Sequence, residues 1–295
     1  MIRLYLIVNP KGGIKKGHGI LKKVRPIFEQ ANIELSVLET KYAGHAQQYA
    51  NSLNFKNYDG LCAIGGDGTL HELINGMLKR EDGDSLPIGL ITGGTGNSFM
   101  YDVNCLKPEE AAERIVKQKL RPVDIAMAEA NGKIFYAFNI IGWGLATDAG
   151  ILAERLRWLG GIRYDVASII EVIKGKQRIA RLTIGDDVIE EDFVFILGCN
   201  TIHTGKAMKM APFAKLDDGK IDLIIVRKAS RLKLLKLFPK LFSGKHVESK
   251  LVDYRQVKDF SIFVEKNNKL TIDGEIIGET PLNVKVLPKK IKVLV

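Results

Sequence analysis

Short apolar runs alternate with amphipathic segments through the first 120 residues of the chain. Residues 61–64 form a continuous apolar run, which is typical of a strand buried on both faces. The next apolar positions recur at helical spacing, at Leu70, Leu73, Ile74 and Met77. The same pattern predicts strands at residues 2–8, 33–39, 61–64 and 87–92. Repeated strand–helix units predict an α/β domain with an open parallel sheet.

The pattern changes near residue 122, where hairpin signals replace the strand–helix units. Asn131-Gly132 separates two apolar runs and is a strong signal for a two-residue hairpin turn. Further hairpins are expected around Asp186-Asp187 and Asn267-Asn268, and another turn at Asp273-Gly274. This half is therefore predicted to be mainly antiparallel β structure.

Two helical insertions are expected within the β-rich half, near residues 149–175 and 230–243. We assign an N-terminal α/β domain to residues 1–122 and a mainly antiparallel C-terminal domain to residues 123–295. The assignment leaves open that the last strand returns to the N-terminal domain.

Polar or glycine-rich loops follow all four strands of the N-terminal domain. They are Asn9-Pro10-Lys11-Gly12-Gly13, Thr40, the GGDGT stretch at residues 65–69, and Gly93-Gly94-Thr95-Gly96-Asn97. A single glycine-rich turn is often no more than a turn. Because ligands bind beyond the carboxyl ends of parallel strands, loops in register predict a common ligand site.

GGDGT precedes a predicted helix, whose N-terminus attracts anions such as phosphate. A carboxylate beside a phosphate either binds a cation that lies between the two groups or takes part in proton transfer. In both cases Asp67 indicates phosphoryl transfer. The standard phosphate-binding motifs are absent: G-x-x-x-x-G-K-[ST] does not occur, and Phe99 replaces the third glycine of G-x-G-x-x-G. Asn75 excludes an H-E-x-x-H zinc motif at His71.

Two acidic turns in the second half are candidate functional sites. Residues 215–222 read KLDDGKID and bring Asp217, Asp218 and Asp222 close in sequence. Such a turn either holds Mg²⁺ or Ca²⁺ through oxygen ligands or is a solvated hairpin turn, with equal weight. Residues 273–275 read DGE, where a plain β-turn is the favoured interpretation.

Residues 231–250 combine leucines and phenylalanines with lysines. This composition is typical of a basic amphipathic element at a membrane surface, and also of a helix that packs its leucines on the core. Core packing is the slightly favoured interpretation. Pro239 interrupts either version.

Composition indicates the net charge of the chain and the cellular compartment in which it is expected. The chain of 295 residues has a formal net charge of +10 and a pI of about 9.3, which suits a nucleotide, nucleic acid or anionic membrane as partner. No helix-turn-helix or RNA-binding signature accompanies the charge, so nucleic acid is not expected. The three cysteines are widely separated, and no secretory signal or membrane-spanning run is evident. A cytoplasmic protein is expected, with peripheral contact to membranes.

NPKGG, GGDGTLHE, GTGNSF, NIIGWGLATD, APFAKLDDGKID and the late DGE occur in the order and rough spacing found in one family of lipid kinases. The chain thus resembles the diacylglycerol-kinase catalytic-domain proteins, including bacterial lipid kinases, sphingosine kinases and ceramide kinases. The resemblance covers nearly the whole chain. It implies an N-terminal nucleotide domain like that of NAD kinases and diacylglycerol kinases, a C-terminal β-sandwich, and Mg²⁺- and ATP-dependent phosphorylation of a lipid hydroxyl.

The resemblance also implies roles for individual residues. The nucleotide set is Asn9, Pro10, Lys11, Gly12, Gly13, Thr40, Gly65, Gly66, Asp67, Gly68, Thr69, Leu70, His71, Glu72, Gly94, Thr95 and Asn97. The Mg²⁺ set is Asp218 with the backbone carbonyls of Lys215 and Lys220. Glu275, beside Asp273, matches the proton acceptor of bacterial members, whereas Asp67 matches that of sphingosine kinases. Substrate-binding roles fall on Asp124 and Asp148, the latter matching the aspartate that binds the sphingosine head group.

The chain departs from many bacterial members after its Gly-Thr. Asn97-Ser98-Phe99-Met100-Tyr101 lacks the usual acid and arginine, so the contacts made by those two groups do not carry over. Diacylglycerol and a sphingoid base both remain candidate substrates. Two alternatives stay open: an NAD kinase-like enzyme acting on a soluble nucleotide, and a non-catalytic lipid- or nucleotide-binding protein. A homodimer also stays open.

Overall fold

The computed structural model describes residues 1–10, 12, 16–205 and 207–295. The chain divides into two compact units. Unit 1 comprises Met1–Val123 and Lys289–Val295, and unit 2 comprises Asp124–Pro288. Each unit is described separately below.

Unit 1 is an α/β unit with a parallel sheet. Its strands are β1 (Arg3–Val8), β2 (Glu34–Glu39), β3 (Gly60–Gly65) and β4 (Ile88–Thr92). Its helices are α1 (Gly17–Gln30), α2 (His45–Ser52), α3 (Asp67–Leu78), α4 (Ser98–Asp102) and α5 (Pro108–Val116). The strands pair in parallel in the order β4-β3-β1-β2. The predicted α/β class is confirmed.

Hydrophobic patterning explains these elements. Every residue of β3 is buried, as its continuous apolar run predicts. α1 buries Ile20, Val24 and Phe28, which recur at helical spacing on one face. α4 was not predicted, because five residues are too few to show a helical period.

Unit 2 is mainly antiparallel, and β5 and β16 have residues in both units. The strands are β5 (Leu120–Ala130), β6 (Lys133–Ala137), β7 (Ile140–Gly144), β8 (Arg178–Ile184), β9 (Asp187–Cys199), β10 (His203–Thr204), β11 (Met208–Lys209), β12 (Ile221–Arg227), β13 (Val252–Val257), β14 (Asp259–Phe263), β15 (Thr271–Ile272) and β16 (Leu282–Leu294). The helices are α6 (Leu145–Arg155), α7 (Arg163–Lys174), α8 (Arg231–Leu237) and α9 (Lys240–Ser243), with short 3₁₀ segments at Arg157–Ile162 and Lys245–Glu248.

The strands of unit 2 pair in the order β13-β12-β9-β8-β14-β16, while β7 joins β9 to β15. One apolar core surrounds Trp143 and Phe193. A second core lies under α7 and α8 and includes Val172, Leu234 and Leu237. The predicted antiparallel β-sandwich is confirmed.

The hairpin predictions had mixed outcomes. β5 and β6 form the hairpin expected at Asn131-Gly132. β8 and β9 also form a hairpin, but Ile184 pairs with Asp187, so its turn lies one residue earlier than expected. The hairpin expected at Asn267-Asn268 is wrong. Asn268 instead exchanges hydrogen bonds with Thr280, and this draws the segment away from β14.

Of the helices in the described residues, none is long and apolar enough to cross a membrane. Cys62, Cys105 and Cys199 are free and buried. Burial raises the pKa of the Cys62 thiol to about 12, so this thiol stays protonated at neutral pH.

Candidate functional site

The loops that follow β1, β2, β3 and β4 lie at one edge of the unit 1 sheet, because the four strands are parallel. Backbone hydrogen bonds tie neighbouring loops together. Thr40 N–H donates to Val8 O (2.9 Å), and Asn9 N–H donates to Ile64 O (3.0 Å). Gly93 N–H donates to Gly65 O (2.7 Å). Three glycine-rich loops and Thr40 are thus brought together as a fixed backbone surface.

Gly66 and Gly94 form the closest backbone contact at this edge. A Cβ atom on Gly94 would lie 2.5 Å from Gly66 Cα, and one on Gly66 would lie 2.8 Å from Gly94 Cα. Because real Cβ atoms do not approach other atoms so closely, only glycine fits at both positions. The spacing keeps backbone, rather than side chains, at the surface beside α3.

Asp67 is the first residue of α3, and its carboxylate links two loops. It accepts hydrogen bonds from Ser98 N–H (2.8 Å) and Phe99 N–H (3.3 Å), at the start of α4. A negative charge is stabilised at the start of a helix and by such donors. The Asp67 carboxylate therefore holds the loop after β3 to the loop after β4.

Three further side chains hold the loops. Asn9 Nδ2 donates to Thr69 Oγ1 (3.3 Å), which joins the loop after β1 to α3. Asn97 has a left-handed backbone conformation, and its amide exchanges two hydrogen bonds with the backbone of Gly94. Thr95 lies exposed between them.

Leu70, His71 and Glu72 serve α3 and its neighbours in the structure. Leu70 and His71 are buried, and Asn75 Nδ2 donates to the carbonyl of His71 (3.0 Å). The Glu72 carboxylate accepts from Gly44 N–H (2.8 Å) and Ala46 N–H (3.0 Å) at the start of α2.

The other predicted nucleotide residues lie in the same loops. Pro10 and Gly12 are half-buried after β1, and Gly65 and Gly68 flank the start of α3. Lys11 and Gly13 lie outside the described residues.

The acidic turn of unit 2 is held by Asp124, which is completely buried. Its carboxylate accepts from Gly219 N–H (2.6 Å), and its own N–H donates to Leu216 O (2.6 Å). Asn200 Nδ2 donates to the Asp124 carbonyl (2.9 Å). Asp124 therefore fixes both ends of residues 216–219, and it can position Asp218 but is itself shielded from solvent.

Asp218 is half-buried in this turn, where its Oδ1 accepts from Lys220 N–H (3.0 Å). Asp222 points elsewhere: it is buried and accepts from Tyr254 Oη and Gln256 Nε2. Burial raises the pKa of Asp222 and also that of Tyr254. In the described part of the chain, no three or more His, Cys, Asp and Glu residues form a metal-binding group. Three aspartates that are close in sequence thus do not form one cluster.

Asp273 and Glu275 differ sharply in surroundings. Asp273 is buried, and its carboxylate accepts from the N–H groups of Phe138 (3.2 Å), Asn139 (2.8 Å) and Ile140 (3.1 Å). Asp273 and Gly274 both have positive φ and form the tight turn that the sequence predicted. Glu275 follows this turn and is exposed. Within the described residues its carboxylate has no hydrogen-bond or ion-pair partner.

Asp148 lies in the first turn of α6 and is paired with a guanidinium group. Arg178 Nη2 lies 2.9 Å from Oδ1 and 2.7 Å from Oδ2 of Asp148. Lys176 Nζ lies 3.9 Å from the same carboxylate. The sequence alone could not identify this partner, because Arg178 is 30 residues away and on a β-strand.

Comparisons with known proteins match both halves of the chain. Residues 3–128 match the diacylglycerol kinase catalytic domain, and residues 139–295 match the YegS C-terminal NAD kinase beta sandwich-like domain. Sphingosine kinase 2 of Arabidopsis thaliana is 32% identical over 94% of this chain and 69% of that protein. Diacylglycerol kinase of Staphylococcus saprophyticus is 31% identical over 99% of this chain and 94% of that protein.

A solved structure agrees with these relatives. The crystal structure of a diacylglycerol kinase from Bacillus anthracis has a TM-score of 0.83 and 28% identity, covering 99% of this chain and 96% of that one. These matches favour a lipid kinase over an NAD kinase or a non-catalytic binding protein. The chain therefore belongs to the diacylglycerol kinase catalytic-domain family of ATP-dependent lipid kinases.

Proposed function

We propose that the carboxyl edge of the unit 1 sheet binds the phosphates of ATP. α3 begins directly after Gly66 and no side chain caps it, so the N–H groups of its first turn can attract an anion. The close contact of Gly66 with Gly94 keeps bulky groups away from them. Asn9, Thr40 and Thr95 come from three different loops at this edge and are proposed to contact the nucleotide.

We propose that Mg²⁺ is held by the Asp218 carboxylate and the backbone carbonyls of Lys215 and Lys220. The residues fit this ion, because Mg²⁺ takes hard oxygen ligands and is bound by one or two carboxylates together with waters and substrate phosphates. The turn is kept in place by the buried Asp124 on both sides of Asp218. When bound, Mg²⁺ offsets the negative charge of the phosphates.

Glu275 is the proposed proton acceptor for the lipid hydroxyl. A general base needs lone pairs that are free to receive a proton. The Asp67 carboxylate already accepts two backbone hydrogen bonds, and that of Asp273 accepts three. Glu275 is exposed, with no partner among the described residues, and it follows a turn that Asp273 anchors. We therefore assign Asp67 and Asp273 to positioning and Glu275 to proton transfer.

The proposed acceptor lipid has an uncharged, diacylglycerol-type head group, and the Asp148–Arg178 pair is the observation that carries this choice. The guanidinium already neutralises Asp148, so the carboxylate offers little further attraction to the ammonium of a sphingoid base. Arg178 Nη1 is buried, and it has no hydrogen-bond partner among the described residues. An ester carbonyl oxygen, which a sphingoid base lacks, can accept from this nitrogen, whereas an ammonium cannot.

Phosphoryl transfer from radiolabelled ATP to a panel of diacylglycerol, sphingosine, ceramide and NAD tests this proposal. We expect diacylglycerol to be labelled at least about tenfold faster than sphingosine, because a neutral head group does not compete with Arg178 for the Asp148 carboxylate. Preferential labelling of sphingosine would overturn the head-group assignment. Absence of label in every lipid would overturn the lipid kinase itself, and label in NAD would revive the soluble-substrate alternative.

A matched pair of variants isolates the role of Arg178. Arg178→Ala removes the close partner of the Asp148 carboxylate and leaves only the more distant Lys176, so labelling of sphingosine relative to diacylglycerol should rise. Arg181 lies on the same strand and pairs with the exposed Glu190, so Arg181→Ala should leave the ratio unchanged. An equal change of the labelling ratio in both variants would mean that the effect comes from a disturbance of β8 and not from the loss of the Asp148–Arg178 pair.

Because diacylglycerol-type lipids reside in membranes, we also propose that the enzyme contacts a membrane surface during turnover. The net charge of +10 supports attraction to anionic lipids. The homodimer stays a prediction.

A further inference from the structure

Asn200 lies directly after β9, the strand that runs between the supports of the two acidic turns of unit 2. Cys199, the last residue of β9, pairs with Asp222 at the start of β12 and with Ile140 at the start of β7. The turn of Asp218 leads into β12, and the turn before Glu275 follows β15, which pairs with β7. Both turns therefore lie at the end of β9 from which the Asn200 side chain begins.

The Asn200 side chain is buried, and its amide joins two separate segments of the chain. The amide nitrogen of asparagine carries two N–H donors. Nδ2 of Asn200 donates to the carbonyl of Asp124 (2.9 Å) and to the carbonyl of Phe138 (3.0 Å). The backbone N–H of Asn200 also donates to the carbonyl of Asn139 (2.8 Å). One residue thus fixes the backbone at Asp124 and the backbone of residues 138–139.

The first of these segments holds the turn of Asp218. The Asp124 carboxylate accepts from Gly219 N–H, and the Asp124 N–H donates to the carbonyl of Leu216. Asn200 binds the carbonyl of the same aspartate, so a shift of Asp124 moves both ends of residues 216–219. The position of Asp218 therefore depends on the Asn200 amide through Asp124.

The second segment holds the turn before Glu275. The N–H groups of Phe138, Asn139 and Ile140 donate to the Asp273 carboxylate. Asn200 binds the carbonyls of the first two of these residues, and it thereby fixes the peptide groups that anchor Asp273. Because Glu275 is exposed and has no partner of its own among the described residues, its position depends on this anchored backbone.

We propose that Asn200 is a shared positioning residue for the Asp218 turn and the Glu275 turn. This inference rests on the proposed function, in which Asp218 binds Mg²⁺ and Glu275 accepts the proton of the lipid hydroxyl. Phosphoryl transfer depends mainly on positioning and on charge stabilisation. A buried amide that sets the backbone under both acids therefore acts on the reaction without touching the substrate.

Kinetics of Asn200→Ala test the part of the proposal that concerns Glu275. At saturating Mg²⁺ we expect kcat to fall about tenfold to hundredfold, the scale of an ångström-sized misplacement. The KM for ATP should change less than about twofold, because the proposed nucleotide contacts lie in unit 1. In a Glu275→Gln background, Asn200→Ala should lower kcat by less than about twofold, since the base that it positions is already absent.

Mg²⁺ titration followed by thermal unfolding tests the part that concerns Asp218, and it needs no turnover. An ion that binds the folded protein raises the melting temperature, and the concentration that gives half of this rise reports the affinity. This concentration should increase at least about threefold in Asn200→Ala, because the support of a metal ligand is lost. In an Asp218→Asn background, Asn200→Ala should cause no further increase.

Thr201→Val is the matched control. Thr201 is buried and follows Asn200, and its hydroxyl lies within hydrogen-bond distance of Asn139 Oδ1 and of the His203 carbonyl. Valine has a similar shape but no hydroxyl, so this variant weakens the same buried region and leaves the bonds of the Asn200 amide in place. It should lower the melting temperature, while kcat and the Mg²⁺ titration stay unchanged. Equal losses of kcat in Thr201→Val and Asn200→Ala overturn the proposal.

A second variant covers the case in which Asn200→Ala is unfolded at the assay temperature. Asn200→Asp keeps the size of the side chain, but an oxygen replaces the NH₂ group, so at most one of the two hydrogen bonds survives. It should change kcat and the Mg²⁺ titration in the same directions.

Two results for a folded Asn200 variant overturn the shared role. One is an unchanged kcat or an unchanged Mg²⁺ titration, and the other is a fall in kcat that is as large in the Glu275→Gln background as in the unaltered protein. Absence of phosphoryl transfer by the unaltered protein to any lipid overturns the proposed function instead, whereas the Mg²⁺ titration still tests the link from Asn200 to the Asp218 turn.

Discussion

The glycine-rich edge of unit 1 and the acidic turns of unit 2 use carboxylates in different ways. At the edge, Asp67 and Glu72 both accept backbone N–H groups at the start of helices, and the surface left for an anion is backbone. In unit 2, two buried aspartates each hold a turn that carries a second acid. Asp124 holds the turn of Asp218, and Asp273 holds the turn before Glu275.

This difference follows from what each region is proposed to bind. Phosphate oxygens accept hydrogen bonds, so a site for them presents N–H groups. The carboxylates of such a site accept hydrogen bonds from the protein's own backbone and do not face the phosphate. A metal ion or a departing proton needs free carboxylate oxygens, so the acid must be held by something other than its own hydrogen bonds. Substitutions at the two kinds of acid should therefore have distinguishable consequences.

Glu275→Gln should have the largest effect. We expect kcat to fall by about 10³-fold, which is typical of removing a general base, because an amide cannot accept the hydroxyl proton. The melting temperature and the affinity for ATP should stay unchanged, since Glu275 is exposed and unpaired among the described residues. Transfer assays, thermal unfolding and nucleotide titration measure the three quantities.

Glu279→Gln is the control for this experiment. Glu279 is exposed and lies four residues further along the chain, so this variant changes the same charge near the same turn. Its activity should be normal. A Glu275→Gln enzyme with near-normal turnover would remove Glu275 from proton transfer and return that role to Asp67.

Asp67→Asn should have the next largest effect, and of another kind. The variant stays folded, but its NH₂ group cannot accept a hydrogen bond, so one of the two bonds to Ser98 N–H and Phe99 N–H is lost and the two loops are held less firmly. We expect kcat/KM for ATP to fall by about 100-fold, the scale of an ångström-sized misplacement, with a weaker affinity for ATP. Stability should fall by about 1–2 kcal/mol. Unchanged ATP affinity together with lost turnover would contradict a positioning role.

Asp218→Asn should have a moderate effect. Removing the charged ligand should raise the Mg²⁺ concentration needed for half-maximal activity at least about tenfold, while activity at saturating Mg²⁺ largely recovers. Asp217→Asn, one residue away, should leave the Mg²⁺ curve in place. A shift of equal size in both variants would indicate a general charge effect of the turn.

The fold was largely accessible from the sequence because its signals are local. Buried runs such as β3, helical spacing as in α1, and the Asn131-Gly132 turn each specify structure within a few residues. The Asn267-Asn268 prediction failed because its outcome depends on Thr280, which competes for the backbone of Asn268. Turn composition alone cannot reveal a competitor of this kind.

The candidate site was accessible in part. Loop position and the acidic turn identified Asp67 and Asp218 as candidates, and the family resemblance added Glu275, but the hydrogen-bond partners of the buried acids come from distant segments. The N–H groups that bind Asp67 lie 31 and 32 residues away, and those that bind Asp273 lie more than 130 residues away. Sequence pattern therefore located the acids, whereas only tertiary structure separates an acid that holds backbone from one that stays free.

Asp222→Asn should have the smallest effect, visible as a change in pH dependence. Burial raises the pKa of Asp222 above its ordinary value of 3.8, so the folded chain holds this proton more tightly than the unfolded chain. This contribution to stability is complete below the ordinary value and is lost as pH rises through the raised pKa. The variant has no such proton and should lack this loss. Its Oδ1 can still accept from Tyr254 and Gln256.

Thermal unfolding of both proteins from pH 4 to pH 7 measures this effect. The melting temperature of the unaltered protein minus that of Asp222→Asn should fall as pH rises, because other carboxylates contribute equally to both and cancel in the difference. A difference that rises with pH would mean that Asp222 is stabilised as a carboxylate. It would then resemble Asp218 as a charged acid available to a cation. The distinction between these two aspartates would no longer hold, and the contrast between the units depends on that distinction.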